Sequence, residues 1–151
     1  YVNENDGQLP NTSHDRAEDG TSRAWVTTLA AYLGPNFIGR CPANTTSRAN
    51  VTYAWNDLLV ETTGQGIPAS RCQAPASTLA VAESADSYTQ EHFHFAGSRS
   101  RITYNQFKSS VSLERHGKGS NYLFVDGHVE TLTATDVKTR LEATDSKFLK
   151  P

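Results

Sequence analysis

The spacing of apolar residues changes along this chain from a helical period to a strand-like one. Between Ser22 and the stop signal Gly34-Pro35, four apolar residues occupy positions i, i+4, i+7 and i+8, namely Trp25, Leu29, Tyr32 and Leu33. This period predicts a helix with one face packed on the core. Upstream, Gly7 followed by Leu9-Pro10 is typical of the residues just past a helix end, so a longer helix is expected before Tyr1.

Further along, apolar and β-branched residues favour strands, in the segments 51–55, 78–83 and 111–113. Residues 84–108 are aromatic, polar and irregular, and they predict a long excursion with at most one short strand. Thr133 and Asp136 have the spacing of a capping box, which predicts a short closing helix.

Asp126-Gly127, between NYLFV and HVETL, predicts a β-hairpin, because an Asp-Gly pair tolerates the positive φ angles of a two-residue type I′ turn. In that register Phe124 lies opposite Val129, and Tyr122 lies opposite Thr131. This face of the hairpin is expected to pack on the core.

Composition narrows the class of protein. The chain has 151 residues, a size typical of one domain, 1–151. Its net charge is −2 with scattered basic residues, so a nucleic-acid partner is not expected. It contains no methionine and begins at Tyr1, so an N-terminal piece is expected to lie outside it. Cys41 and Cys72 lack zinc or redox spacing and predict one disulfide, hence an oxidising, extracytoplasmic compartment.

Two groups of residues are candidates for chemistry. His116 and Asp126 are separated by a strand that spans about 16 Å, so one ion held by both is not expected. Instead His116 and Asn121 are expected to bond backbone groups and shape the loop 117–120, while Asp126 makes the turn. A calcium ion near Asp126 is the alternative.

The second group lies in EHFHF, where His92 and His94 would point the same way on a strand, as zinc-binding His-x-His pairs do. His128 or Glu91 would supply a third ligand. The alternative is a pair of surface histidines that flank a buried aromatic residue. No Gly-x-Ser-x-Gly elbow or phosphate loop is present, so no catalytic residue is predicted.

The spacing His116, nine residues, Asp126-Gly127 in RHGKGSNYLFVDGHV resembles the C-terminal signature of a large family of bacterial prepilin-like proteins. Other segments of the chain resemble the family in their usual order: YVNENDGQLP, AWVTTLAAYLG, FIGRCPA, TYAWNDLL and TLAVAES. The resemblance therefore covers most of the chain.

The resemblance implies a type IV pilin-like or type II secretion pseudopilin-like subunit. Its fold would be α+β, a head with an antiparallel sheet, short helices and long loops, from which the long N-terminal helix is truncated. Such a subunit is membrane-anchored before assembly and then contacts other subunits through that helix, in the periplasm or at the cell surface. The motif residues would be His116, Asn121, Asp126 and Gly127, with no catalytic role, although related major pseudopilins can bind calcium in a C-terminal loop.

A binding module is the rival interpretation. It would recognise a secreted protein or a glycan through exposed aromatic residues of the irregular segment, namely Tyr88, Phe93, Phe95 and Tyr104. A metalloprotein based on His92 and His94 is a third.

Overall fold

Four strands form one antiparallel sheet in the computed structural model, which describes residues 1–14, 24–35, 37, 39–46, 49, 51–94 and 102–151. The strands follow one another in space in chain order: β1 Tyr53–Trp55, β2 Leu79–Glu83, β3 Gly119–Phe124 and β4 Val129–Thr133. Each strand runs antiparallel to its neighbours. The α+β class and the antiparallel sheet are therefore confirmed.

Helices are short in the described part of the chain. They are α1 Trp25–Thr28, α2 Ala30–Leu33, α3 Tyr104–Ser110 and α4 Ala134–Glu142, with single 3₁₀ turns at Val2–Glu4, Asp57–Leu59 and Ala69–Arg71. Within the described ranges, no helix has both the length and the apolar character that a bilayer crossing requires.

The helix predicted up to Gly34 is two helices, α1 and α2, that break at Leu29. The hydroxyl of Thr28 donates to the backbone oxygens of Ala24 and Asn11, and this bonding competes with a regular helix. Gly34 has φ +71° and ends α2, as the sequence predicts. Trp25 is buried, whereas Tyr32 is exposed, so only part of the predicted face reaches the core.

Helix α3 corrects the prediction for the irregular segment. Thr103 and Gln106 form a complete capping box at its start, and Phe107 is fully buried on its inner face. The strand predicted at 111–113 is wrong, because Val111 forms only a single bridge, with Ser84. Helix α4 confirms the closing helix.

The same reciprocal bonds join Thr133 and Asp136 at the start of α4. Its inward-facing Val137 is completely buried. Both helices therefore begin at a Thr whose hydroxyl accepts from a backbone N–H three residues later, and both then direct one side chain into the core.

The hairpin of β3 and β4 is confirmed, but its predicted register is wrong by one residue. Leu123 lies opposite Val129, and Tyr122 lies opposite Glu130. The loop has three residues, 125–127, in which the Gly127 N–H donates to the Phe124 carbonyl oxygen and Gly127 has φ +94°. This is the geometry of a type I turn followed by a glycine at positive φ, not of a type I′ turn.

The shift reverses the faces of β4. Leu132 points into the core, and Val129 is 63% exposed. Glu130 lies on the core side, at the rim, where both of its oxygens accept from the Arg140 guanidinium of α4 at 2.7 and 2.8 Å. Tyr122 and Phe124 are buried on the predicted side of β3.

One face of the sheet carries the larger core. Helices α3 and α4 and the C-terminal residues cover it, with Phe107, Tyr122, Phe124 and Phe148 in contact through their rings. The opposite face packs against the N-terminal segment and α1, around Leu9, Trp25 and Trp55. The single domain 1–151 remains a prediction.

Candidate functional site

The buried carboxylate of Glu83 contacts two of the motif residues, His116 just before β3 and Asn121 within it. Glu83, in the last position of β2, has a side chain only 2% exposed. Its Oε1 lies 2.8 Å from His116 Nε2, and its Oε2 accepts from the backbone N–H of Asn121 at 2.9 Å. The sequence predicted backbone partners for His116 and Asn121. Instead the His116 imidazole contacts the Glu83 carboxylate, and the Asn121 amide oxygen accepts from the Thr131 hydroxyl at 2.7 Å, although the His116 backbone N–H does donate to the Gly119 carbonyl oxygen within the loop.

Cys41 completes this cluster. Its sulfur lies 3.7 Å from His116 Nε2. The sulfur, a carboxylate oxygen of Glu83 and a ring nitrogen of His116 all lie within 4.8 Å of one another. Burial raises the pKa of the Cys41 thiol above its ordinary value, and the hydrogen bond to Glu83 adds to the rise. The neutral thiol is favoured, which is the opposite of what a nucleophilic cysteine requires.

The arrangement also differs from a catalytic relay. In a relay, the histidine contacts the nucleophile through one ring nitrogen and the carboxylate through the other. Here Cys41 and Glu83 both face Nε2 of His116. The cluster therefore has the geometry of a hydrogen-bonded support, in which Glu83 and Cys41 are buried and His116 is exposed.

The predicted disulfide is wrong in this structure, since Cys41 and Cys72 are both free and buried thiols. Cys41 lies beside Glu83 and His116. Cys72 instead follows the 3₁₀ turn Ala69–Arg71. Ala69 of this turn packs against the hydrophobic core around Leu9, Trp25 and Trp55. The two thiols are therefore buried in different surroundings and are not bonded to each other.

Asp126 makes the turn, as the sequence predicts. Its Oδ1 accepts from the backbone N–H of His128 at 3.2 Å and lies 2.6 Å from His128 Nδ1. Hydrogen bonds from His128 lower the pKa of the Asp126 carboxyl below its ordinary value. His116 and Asp126 thus belong to separate networks, and calcium near Asp126 remains a prediction.

His92 and His94 share a side of their segment, as the sequence predicts, with Phe93 buried between them. The third member of the cluster is His14, which the sequence alone did not indicate. One ring nitrogen from each of the three lies within 4.8 Å of the others. His14 Nε2 and His94 Nε2 are 2.8 Å apart.

Of the two candidate third ligands, Glu91 lies at this cluster. Its Oε1 is 3.1 Å from His92 Nδ1 and 3.8 Å from His14 Nδ1. The hydrogen bond with His92 lowers the pKa of the Glu91 carboxyl. Burial lowers the pKa of His94, and its two histidine neighbours lower it further, so its neutral form is favoured. His128 bonds Asp126 in the hairpin turn instead.

The aromatic surface proposed for a binding module is not exposed where the structure describes it. Phe93 is completely buried, because it alternates with the outward histidines and enters the core beside Phe107. Tyr88 and Tyr104 are partly buried and pack against the same core. Phe95 lies outside the described residues.

Glu83 and His14 are members of these two clusters that the sequence patterns did not identify. Glu83 carried a signal, because a lone carboxylate at the end of the apolar run 78–83 must find a partner when the strand is buried. His14 carried none, since it stands alone in a polar loop.

Comparison of the chain with protein-family models, with curated proteins and with solved structures finds no match.

Proposed function

We propose that this chain is the head of a pilin-like or pseudopilus subunit, a non-catalytic structural protein of a surface or secretion filament. The resemblance around His116 and Asp126-Gly127 suggests it. Two structural features support it: the motif residues bond a buried carboxylate and close a hairpin, and the fold is an α+β head on an antiparallel sheet.

The observation that carries the proposal is an apolar groove beside the first residues. It has a volume of about 320 Å³, and its walls include Val2, Leu29, Leu123 and Val125. Val129, paired with Leu123 and 63% exposed, extends this apolar surface onto β4. In the proposed subunit, the part of the long N-terminal helix that adjoins the head would lie along this groove and cover its apolar residues.

The cluster at Glu83 agrees with a structural role, because its thiol is kept neutral and its carboxylate already accepts two hydrogen bonds. In a filament subunit such a network would hold the start of β3 against β2. The surface of the head is then available for contacts between subunits.

Mass spectrometry of the native protein tests the proposal. Filaments sheared from the producing bacterium should contain the chain, preceded by an apolar segment with a methylated N-terminal residue. Deletion of the prepilin peptidase should remove the chain from this fraction. A mature N-terminus made by ordinary signal peptidase, or filament-independent secretion, would contradict the proposal.

A pair of matched variants tests the groove. Val129→Asp adds a carboxylate to the exposed apolar surface, and Thr139→Asp adds one to an exposed position on α4, at the other face of the sheet. Both heads should fold with unchanged circular dichroism. Only Val129→Asp should reduce the amount of subunit in sheared filaments, and equal amounts would mean that the helix docks elsewhere.

A further inference from the structure

Three imidazoles from two distant segments of the chain converge at one place. His14 is separated from His94 by 80 residues, yet their Nε2 atoms are 2.8 Å apart. The rings of His92 and His94 are 4.4 Å apart between centroids, and those of His14 and His92 are 4.5 Å apart. Such a concentration of lone-pair nitrogens is the ligand set that borderline-soft transition ions prefer.

The segment that carries His92 and His94 is fixed by main-chain and side-chain bonds. The Trp55 N–H of β1 donates to the Glu91 carbonyl oxygen, and the Phe93 N–H donates to the Trp55 carbonyl oxygen. The Tyr88 hydroxyl donates to the His92 carbonyl oxygen and accepts from the His94 N–H. Both histidines are therefore presented from an ordered backbone.

The segment that carries His14 is fixed as well. The Thr12 N–H donates to the Gly64 carbonyl oxygen, and Asn11 Oδ1 accepts from the Gly66 N–H. Gly66 must lack a side chain, since a Cβ there would overlap the Leu9 carbonyl oxygen. Close contact between residues 9–12 and residues 64–66 thus fixes the backbone that leads to His14.

Glu91 supplies the outer contact that metal-binding histidines use. Its Oε1 accepts from His92 Nδ1 at 3.1 Å and lies 3.8 Å from His14 Nδ1. A neutral imidazole that donates through Nδ1 carries its lone pair on Nε2, which is then the atom that coordinates. A carboxylate in this position orients the ring and increases the basicity of the ligand nitrogen.

We propose that His14, His92 and His94 form a binding site for a divalent first-row transition ion such as Zn²⁺, with Glu91 as the hydrogen-bonded support. Tetrahedral zinc with Zn–N bonds of about 2.0–2.1 Å places its nitrogens about 3.3 Å apart. The His14 and His94 nitrogens are 2.8 Å apart and all three ligand nitrogens lie within 4.8 Å of one another, so small rotations of the side chains bring them to this spacing. Because His14 and His94 are exposed, solvent reaches the fourth position.

The other ligand cluster is a weaker candidate. Both oxygens of Glu83 already accept hydrogen bonds, and Cys41 is buried with a raised pKa. An ion there would have to break these bonds. At the histidine cluster an ion would instead replace one contact between two imidazoles, and it would link the segment 11–14 to the segment 91–94.

Zinc titration of the tag-free protein, by calorimetry and by competition with a chromophoric chelator, tests the site. The wild type should bind one equivalent of Zn²⁺ and should melt at a higher temperature with it. His94→Ala, a change at an exposed residue, should weaken binding at least tenfold and abolish the thermal shift. Glu91→Gln should weaken binding about 10- to 100-fold.

His128→Ala is the matched control, because it removes an exposed histidine outside the cluster, and it should bind zinc as the wild type does. Cobalt substitution gives a second measurement, in which ligation by imidazoles produces no thiolate-to-metal charge-transfer band. A Kd weaker than about 1 mM, unchanged binding by His94→Ala, or a thiolate band from Cys41 would each overturn the proposal.

Discussion

At the scale of single residues, the His116 imidazole is the side-chain partner of a buried carboxylate at the end of β2, that of Glu83. Glu83 is 1% exposed, and its two oxygens accept from His116, which precedes β3, and from Asn121, which lies within it. The Glu83 side chain is 2% exposed and the His116 side chain 35% exposed, so removal of the imidazole leaves a buried carboxylate with one hydrogen bond fewer, which costs free energy.

His116→Ala is therefore expected to lower the free energy of unfolding by about 1 to 3 kcal/mol, since it leaves the buried Glu83 carboxylate with one hydrogen bond fewer. His128→Ala removes an exposed contact with Asp126 and should cost less than about 1 kcal/mol. Urea denaturation of both variants measures the difference. Equal losses would mean that the Glu83 contact adds no stability.

Sequence alone predicted only part of the cluster of His14, His92 and His94. The His-x-His pattern placed His92 and His94 on one side, because side chains alternate along an extended segment. The approach of His14 depends on how two loops pack, and this packing has no signature within either loop. Cys41 and Cys72 show the same limit, because the presence of two cysteines in a sequence does not show whether the fold brings their sulfur atoms together.

At the scale of elements, the hairpin was predictable and its register was not. Asp-Gly suits a two-residue turn and also a three-residue loop with glycine at positive φ. The choice depends on which β4 residues enter the core, and there Leu132 is buried, whereas Val129 is exposed. The pairing of Glu130 with Arg140 then keeps the charge of the shifted strand at the rim.

Gly127 gives the prediction for this element. Its φ is +94°, and a Cβ there would meet no atom within 4 Å, so the cost of a side chain comes from backbone strain alone. Gly127→Val should lower the free energy of unfolding by about 1 to 3 kcal/mol. Thermal or urea denaturation measures it.

Gly127→Asn is the matched control, because asparagine tolerates positive φ better than a β-branched residue does. It should retain more stability than Gly127→Val. If the two variants lose the same stability, the loss does not come from the φ angle.

Helix prediction followed a similar division. The closing helix α4 was predicted because Thr133 and Asp136 mark its start before a clear apolar position. Helix α3 has the same capping box, at Thr103 and Gln106, but its seven residues carry too little periodicity to stand out within an irregular segment. The break at Leu29 follows Thr28, whose hydroxyl donates to the Asn11 carbonyl oxygen, a tertiary contact that sequence periodicity does not show.

At the scale of the whole molecule, the C-terminal residues complete the core. Phe148 is 2% exposed and lies in ring contact with Phe107, Tyr122 and Phe124. Its carbonyl oxygen accepts from the Leu79 N–H of β2. This segment is thus joined to the central strands.

Phe148→Ala should lower the free energy of unfolding by about 3 to 5 kcal/mol, because it leaves a cavity among aromatic rings. Val129→Ala, at an exposed apolar residue, should change it by less than about 0.5 kcal/mol. Chemical denaturation compares them. Small effects of both would indicate that the C-terminal segment contributes little to the core.

The order of the four strands has a consequence for the rate of folding. Strands β3 and β4 pair across a loop of three residues, 125–127, whereas the pairing of β2 with β3 must bring together the two ends of the segment 84–118. Chain entropy lost on closing a loop rises with the length of the loop, so the hairpin can form early and the pairing of β2 with β3 follows. Glu83 is buried beside that pairing, so we expect the later closure to remove its carboxylate from water and to add an electrostatic cost to the entropic one.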